Sequence, residues 1–270
     1  MRAIRFAVAG AMFAICMPLA HAQEAAPIHP ALHDRFYFAA GAFVPKTSTS
    51  AQLDSSNLGV GTNIDFERAL GMTTQKTLPD FFARFRLTDR WRFEAEYFQL
   101  NRTGDKVTET QIQWGDVVFP VNSRIQSKFN FSDTRVSAGY SFFRTADKEL
   151  GVGFGLHLAS YDVGLNTPAG GQDATKVLAP LPVFSAYGQF ALTETWAVGG
   201  RIDRFVMTYD KYYGNITSLA LDLNYQPFRY VGFGFAYRSL NIFAKATGDP
   251  LTAQFNQTFQ GPLLYMNASF

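Results

Sequence analysis

Apolar and polar residues alternate along most of this chain with a period of two, the mark of a β-strand whose two faces meet different surroundings. The first such run covers 35–44, with Phe36, Phe38, Ala40, Ala42 and Val44 on one face and Arg35, Tyr37, Ala39, Gly41 and Phe43 on the other. Residues 47–77 are polar and glycine-punctuated, which predicts a loop, with 63–67 extending a hairpin inside it. A sharply sorted pair follows at 81–87 and 91–97, joined by a turn at Thr88, Asp89 and Arg90. Phe81, Ala83, Phe85, Trp91, Phe93, Ala95 and Tyr97 share one face of this pair, and Arg84, Arg86, Arg92, Glu94 and Glu96 share the other. Further runs lie at 129–143, 150–161, 182–192, 196–209, 218–225 and 231–237. The last run, from Leu263, sets Leu264, Met266, Ala268 and Phe270 against Leu263, Tyr265, Asn267 and Ser269.

These runs predict ten strands. Their links alternate in length: tight near Asp89, Asp147, Glu194 and Phe228, longer at 46–77, 101–127, 165–179, 209–216 and 244–255. A transmembrane antiparallel barrel has this parity, with short periplasmic turns, long extracellular hairpins and an even strand count. Trp91, Phe142, Trp196, Phe228 and Tyr230 flank the tight links, where aromatic side chains meet lipid headgroups. A soluble β-sandwich would share the alternation, with the Phe and Leu faces inside, but offers no reason for every second link to be short. The predicted fold class is all-β, a single barrel of about ten strands, with eight or twelve also compatible.

The N-terminus places this fold outside the cytoplasm. Arg2 and Arg5 precede an apolar stretch at 6–20 and an Ala20-His21-Ala22 cleavage pattern, so 1–22 is expected to be a signal peptide, 23–33 an unstructured periplasmic lead, and 34–270 the barrel. The only cysteine, Cys16, falls inside the signal peptide, which leaves the mature chain without a thiol nucleophile, disulfide or cysteine metal ligand. Of 24 Lys+Arg and 22 Asp+Glu, the signal peptide removes two arginines, leaving 22 against 22. That balance argues against a nucleic-acid partner. No mature stretch reads as about 20 consecutive apolar residues.

Candidate chemistry sits on the face that a barrel turns inward. It carries Arg84, Arg86, Arg92, Arg135, Arg201 and Arg238 against Glu94, Glu96, Asp203 and Asp222, with His157. Arg84 and Arg86 are expected to pair with Glu94 and Glu96 across their hairpin. The whole set is expected either to plug the lumen as a structural network or to line a narrow conduit in which six arginines against four acids favour small anions. A broad pore needs about 16 strands. For hydrolysis, His157 would need Ser137, Ser141, Ser185 or Asp222 beside it, and an aspartyl site would draw on Asp54, Asp65, Glu67 or Asp105; a packed histidine and solvated loop carboxylates are the simpler readings. No phosphate loop, zinc spacing or calcium loop is present, and Asp162, Asp173 and Asp210 are too scattered for an ion. No metal or cofactor is expected.

With the signal peptide, the link parity and the aromatic closing strand ending in Tyr265 and Phe270, segments such as 137–143 (SAGYSFF) and 61–67 (GTNIDFE) resemble those of small Gram-negative outer-membrane β-barrel proteins, of the OmpW and OmpA transmembrane-domain type. The resemblance implies an outer-membrane location, contact with lipid and lipopolysaccharide, and a closing strand read by the assembly machinery through Tyr265 and Phe270. It implies a structural or surface role or a narrow solute channel. The alternative is an enzyme acting on lipid A, phospholipid or peptides at the extracellular rim. The OmpW type further implies a path for hydrophobic small molecules through eight strands, where this chain has ten. No catalytic residue is carried over, and no ligand is named.

Overall fold

The structure, a computed structural model, describes residues 29–55, 59, 61, 63–114, 117–166, 172–248 and 251–270. The expected signal peptide and most of the expected lead, as well as Gly115 and Asp116, where the sequence predicts a hairpin tip, lie outside the described residues. In chain order the elements are α1 (Pro30–His33), β1 (Phe36–Phe43), β2 (Lys46–Ser55), β3 (Ile64–Asp65), α2 (Phe66–Ala69), β4 (Leu78–Arg86) and β5 (Trp91–Val107). There follow a small hairpin of β6 (Ile112–Trp114) and β7 (Val117–Phe119), then β8 (Arg124–Arg144), β9 (Lys148–Asn166), β10 (Gln172–Ala191), β11 (Trp196–Tyr209), β12 (Tyr212–Tyr225), β13 (Val231–Ala246) and β14 (Leu251–Ser269).

The sheet closes on itself as a ten-stranded antiparallel barrel. β1 pairs with β4 on one side and with β14 on the other, from Tyr37↔Ser269 to Phe43↔Leu263. β2 continues along the same β14, from Lys46↔Gln260 to Ser55↔Leu251, so β1 and β2 are two halves of one stave broken at Val44 and Pro45. Pro45 has no backbone N–H to give to a ladder, which is why the break falls there. At the other end of the seam Phe270 donates to the Phe36 carbonyl at 3.0 Å and Phe36 donates back at 2.8 Å, so the final residue zips the first stave.

The strands run further than their apolar alternation predicts. The segment at 46–55, expected as loop, is strand, and the ladders at the long-hairpin end persist to Val107↔Arg124, Asn166↔Gln172, Tyr209↔Tyr212 and Ala246↔Ala253. Beyond the hydrocarbon band both faces of the wall can be wet, so the period-two signal fades while the backbone ladder continues.

Orientation follows the predicted faces. Phe38, Phe81, Phe93, Phe154, Phe184, Phe233, Phe235, Leu264 and Met266 are exposed on the outside, and Trp91, Phe142, Trp196, Phe228 and Tyr230 are exposed near the short turns. An apolar belt of this extent has no place in water, and it matches a barrel solvated by lipid tails. The inward set is buried, including Arg84, Arg86, Arg92, Glu94, Glu96, Arg135, His157 and Asp203.

Two segments outside the staves fold into the lumen. The lead is not unstructured throughout: His29 caps α1 by accepting from Ala31 N at 3.1 Å, and α1 lies in the mouth at the short-turn end with Ala31 and Leu32 buried. The second segment carries β3 and α2. Rather than rising as a hairpin, it turns inward at the long-hairpin end, burying Ile64, Phe66, Leu70 and Met72.

Candidate functional site: a lumen in layers

From the short-turn end upward, the lumen is stratified. The first layer is α1, held by neutral oxygens and one ion pair. Arg84 donates to the Ala31 carbonyl, Arg144 to the Leu32 carbonyl at 2.8 Å, and Arg229 pairs with Asp34 at 2.8 Å. Burial holds the His29 imidazole below its ordinary pKa, which keeps the ring neutral and able to accept at the cap.

Above α1 lies a dense ion network. Asp203 is its hub: Arg135 donates to both its oxygens at 2.9 and 3.0 Å, Arg201 donates at 3.0 Å, and Ser185 adds a hydroxyl. Arg201 also donates to Glu96 at 2.8 Å, and Arg238 bridges Glu96 and Asp80, each at 2.6 Å. Glu94 takes Arg92 at 3.0 Å and Arg135 at 3.2 Å. Arg86 forks onto Glu149 at 3.0 and 2.8 Å, and Arg92 lies flat on the Tyr187 ring, 3.3 Å from its centre. A side chain at Gly151 would place its Cβ 2.2 Å from that ring, so the glycine makes room for the tyrosine.

Sequence reasoning placed these residues inside but not their pairing. Arg84 stands opposite Glu94 in the β4–β5 register, yet it forms no ion pair among the described residues, and Arg86 stands opposite Arg92. Arg86, Arg135, Arg201 and Arg238 each reach an acid on a stave further round the barrel, because interior side chains in so narrow a barrel reach across the lumen. The arginine excess also disappears. Asp80, Asp133 and Glu149 join the four predicted acids, giving seven carboxylates to six arginines, so charge count supplies no preference for anions. The sequence places Glu149 in the tight link before the run at 150–161 and Asp80 just ahead of the run at 81–87. Extending each strand by two residues in the observed phase would have turned both inward.

His157 sits within this network, not beside a nucleophile. Its Nδ1 meets Asp133 at 2.8 Å and its Nε2 lies 3.8 Å from Asp203, beneath further side chains. Among the described residues no group of three metal-ligating side chains is placed to hold an ion.

The third layer is apolar. Phe43, Phe98, Leu100, Phe129, Phe131 and Phe259 fill the lumen, with Phe131 and Phe259 stacked at 4.9 Å. Here the wall is not a continuous ladder. Beyond Phe98, β5 keeps β8 on one side, but its ladder to β4 ends at Asp80↔Phe98. The resulting slot between β5 and β2 is filled by the inturned segment, which acts as a wedge. Phe66 packs edge-on against Phe129 at 5.5 Å. Glu67 accepts from Thr49 N at 3.0 Å and pairs with Arg102, which also donates to Thr49 Oγ1 at 2.6 Å and to the Thr73 carbonyl at 3.2 Å. Lys76 and Lys106 tie the wedge to the wall by donating to the Asn101 and Arg68 carbonyls at 2.7 and 2.8 Å. Gly104 lets the wedge approach, since a Cβ there would meet the Leu70 carbonyl at 2.1 Å.

Tyr265 and Phe270, expected as an assembly signal, separate. Tyr265 turns inward and accepts from Asn224 at 3.3 Å, whereas the Phe270 ring is exposed on the rim beside Phe36 and Phe38.

No protein-family model matches this chain, and no curated protein matches it by sequence. Among solved structures, the outer-membrane protease OmpT of Escherichia coli is similar at a TM-score of 0.57, with 9% identity, 87% of this chain and 97% of that chain covered. Neisserial surface protein A (TM-score 0.35, 14% identity, 87% and 97% covered) and Ail of Yersinia pestis (0.34, 7%, 86% and 99%) are matched less well. The OmpT likeness, at so low an identity, speaks for architecture and not for activity. The chain thus has the fold of the bacterial outer-membrane β-barrels.

Proposed function

We propose that this protein is an integral outer-membrane barrel with a sealed lumen, serving a structural or surface role. On this reading the short turns face the periplasm and the long hairpins face the outside. The exposed Phe270 strand end is offered to the assembly machinery, and the outer belt contacts lipid and lipopolysaccharide. One observation carries the proposal: α1, the ion network, the apolar layer and the wedge succeed one another along the barrel axis, so a solute entering at either mouth meets filled space. The network supports plugging over conduction, because Asp80, Glu94, Glu96, Glu149 and Asp203 are engaged by arginines instead of lining an open path. An enzymatic role gains nothing from His157, which is buried beneath the apolar layer. Planar-bilayer recording of the purified full chain tests the reading. The sealed barrel is expected to give no ohmic steps. Steps that vanish in Arg201→Ala or Arg238→Ala would instead establish a charged conduit.

A further inference from the structure

The ion network does not fill its layer evenly. Its arginines and acids come chiefly from β4, β5, β8, β9 and β11, while the opposite wall turns Ala39, Ala220 and Ala236 inward. The small side chains leave a chamber of about 80 Å³ between the network and that wall. On the usual allowance of about 10–15 Å³ per water-sized centre, it has room for about five to eight heavy atoms.

Two charged groups face this chamber without an ionic partner among the described residues. Asp222, lying over Gly199, makes no ion pair or hydrogen bond. Arg84, which is buried, gives its terminal nitrogens to the neutral oxygens of Gln189 (2.8 Å) and Ala31, and its Nε has no partner. Every other arginine of the network touches a carboxylate. A buried guanidinium and a carboxylate left unpaired along one chamber are a costly arrangement unless something supplies both countercharges. A simple anion would suit Arg84 and be repelled by Asp222, and a simple cation the reverse.

We infer that the chamber is a binding site for a small zwitterion carrying one carboxylate and one ammonium group, of the size of glycine or β-alanine. Its ammonium would meet Asp222. Its carboxylate would take Arg84, displacing the weaker Ala31 carbonyl acceptor and so loosening the hold on α1.

Calorimetric titration of the detergent-solubilised full chain tests this, with glycine and β-alanine as probes and acetate and methylammonium as single-charge controls. Saturable zwitterion binding is expected, at least about tenfold tighter than either control. Asp222→Asn should weaken it about tenfold or more. Ala220→Leu, which fills the chamber and leaves both charges in place, should abolish it while the heat-dependent gel shift of the folded barrel persists. Absence of saturable binding, equal affinity for the controls, or undiminished binding in Ala220→Leu would overturn the assignment.

Discussion

Asp203→Leu is expected to destabilise the folded barrel by about 3–5 kcal/mol, the usual cost of removing one member of a buried ionic cluster. Asp203 is fully buried and accepts from Arg135, Arg201 and Ser185. Its loss leaves two guanidinium groups short of an acceptor in a place that water reaches poorly, so desolvation is no longer offset by Coulomb attraction. Asp105→Leu is the matched control. That carboxylate pairs with Arg124 at 2.7 Å on an exposed part of the wall, where solvent screens the pair and its loss changes little. Urea unfolding in detergent, followed by the gel-mobility difference between folded and unfolded barrel, measures both. Equal midpoints for the two variants would show that the lumen carboxylates are solvated and that the network does not bind the staves together.

Phe66→Ala should release the wedge while leaving the barrel closed. Deleting a buried phenylalanine costs about 3–5 kcal/mol when its site cannot collapse. Phe66 is buried among the staves, in edge-on contact with Phe129. The loss falls on a segment that no full ladder secures: β3 contributes only the pairs Ser50↔Asp65 and Ala51↔Ile64. Local opening, not global unfolding, should therefore absorb it. Tryptic cleavage after Arg68 and Lys76 is expected to speed up by about two to four orders of magnitude, since cleavage follows the open population and each 1.4 kcal/mol is about tenfold. An unchanged cleavage rate would mean that the polar ties at Glu67, Lys76 and Lys106 hold the wedge by themselves.

The parts of this structure that were legible in the sequence are those governed by lipid. Where the outer face meets hydrocarbon, an outward Phe154 alternates with an inward His157 three positions on, and ten strands, their order and their inner faces follow. Outside that band the rule lapses. Residues 46–55 are rich in serine and threonine on both faces, so nothing in their pattern separates a strand paired to β14 from a loop. The inward turn of 63–72 was hidden for a related reason: Ile64, Phe66, Leu70 and Met72 are too few and too irregularly spaced to announce a buried segment, and only the gap between β2 and β5 makes a place for them. The pairing of the lumen charges depends on distances across the barrel, set by closure and not by neighbours in sequence. Arg84 and Glu94 are adjacent in register and yet are not an ion pair.

The orientation of the staves is the claim on which everything else stands, and a nitroxide scan of single cysteines along residues 231–238 in lipid nanodiscs tests it most directly. Labels at Val231, Phe233, Phe235 and Tyr237 should collide freely with oxygen and be shielded from a water-soluble nickel chelate, because these positions are exposed on the apolar belt. Labels at Gly232, Gly234, Ala236 and Arg238 should show low oxygen accessibility, in strict alternation with the first set. Uniform accessibility, or an alternation of opposite phase, would contradict a barrel with hydrocarbon outside and a packed, charged interior.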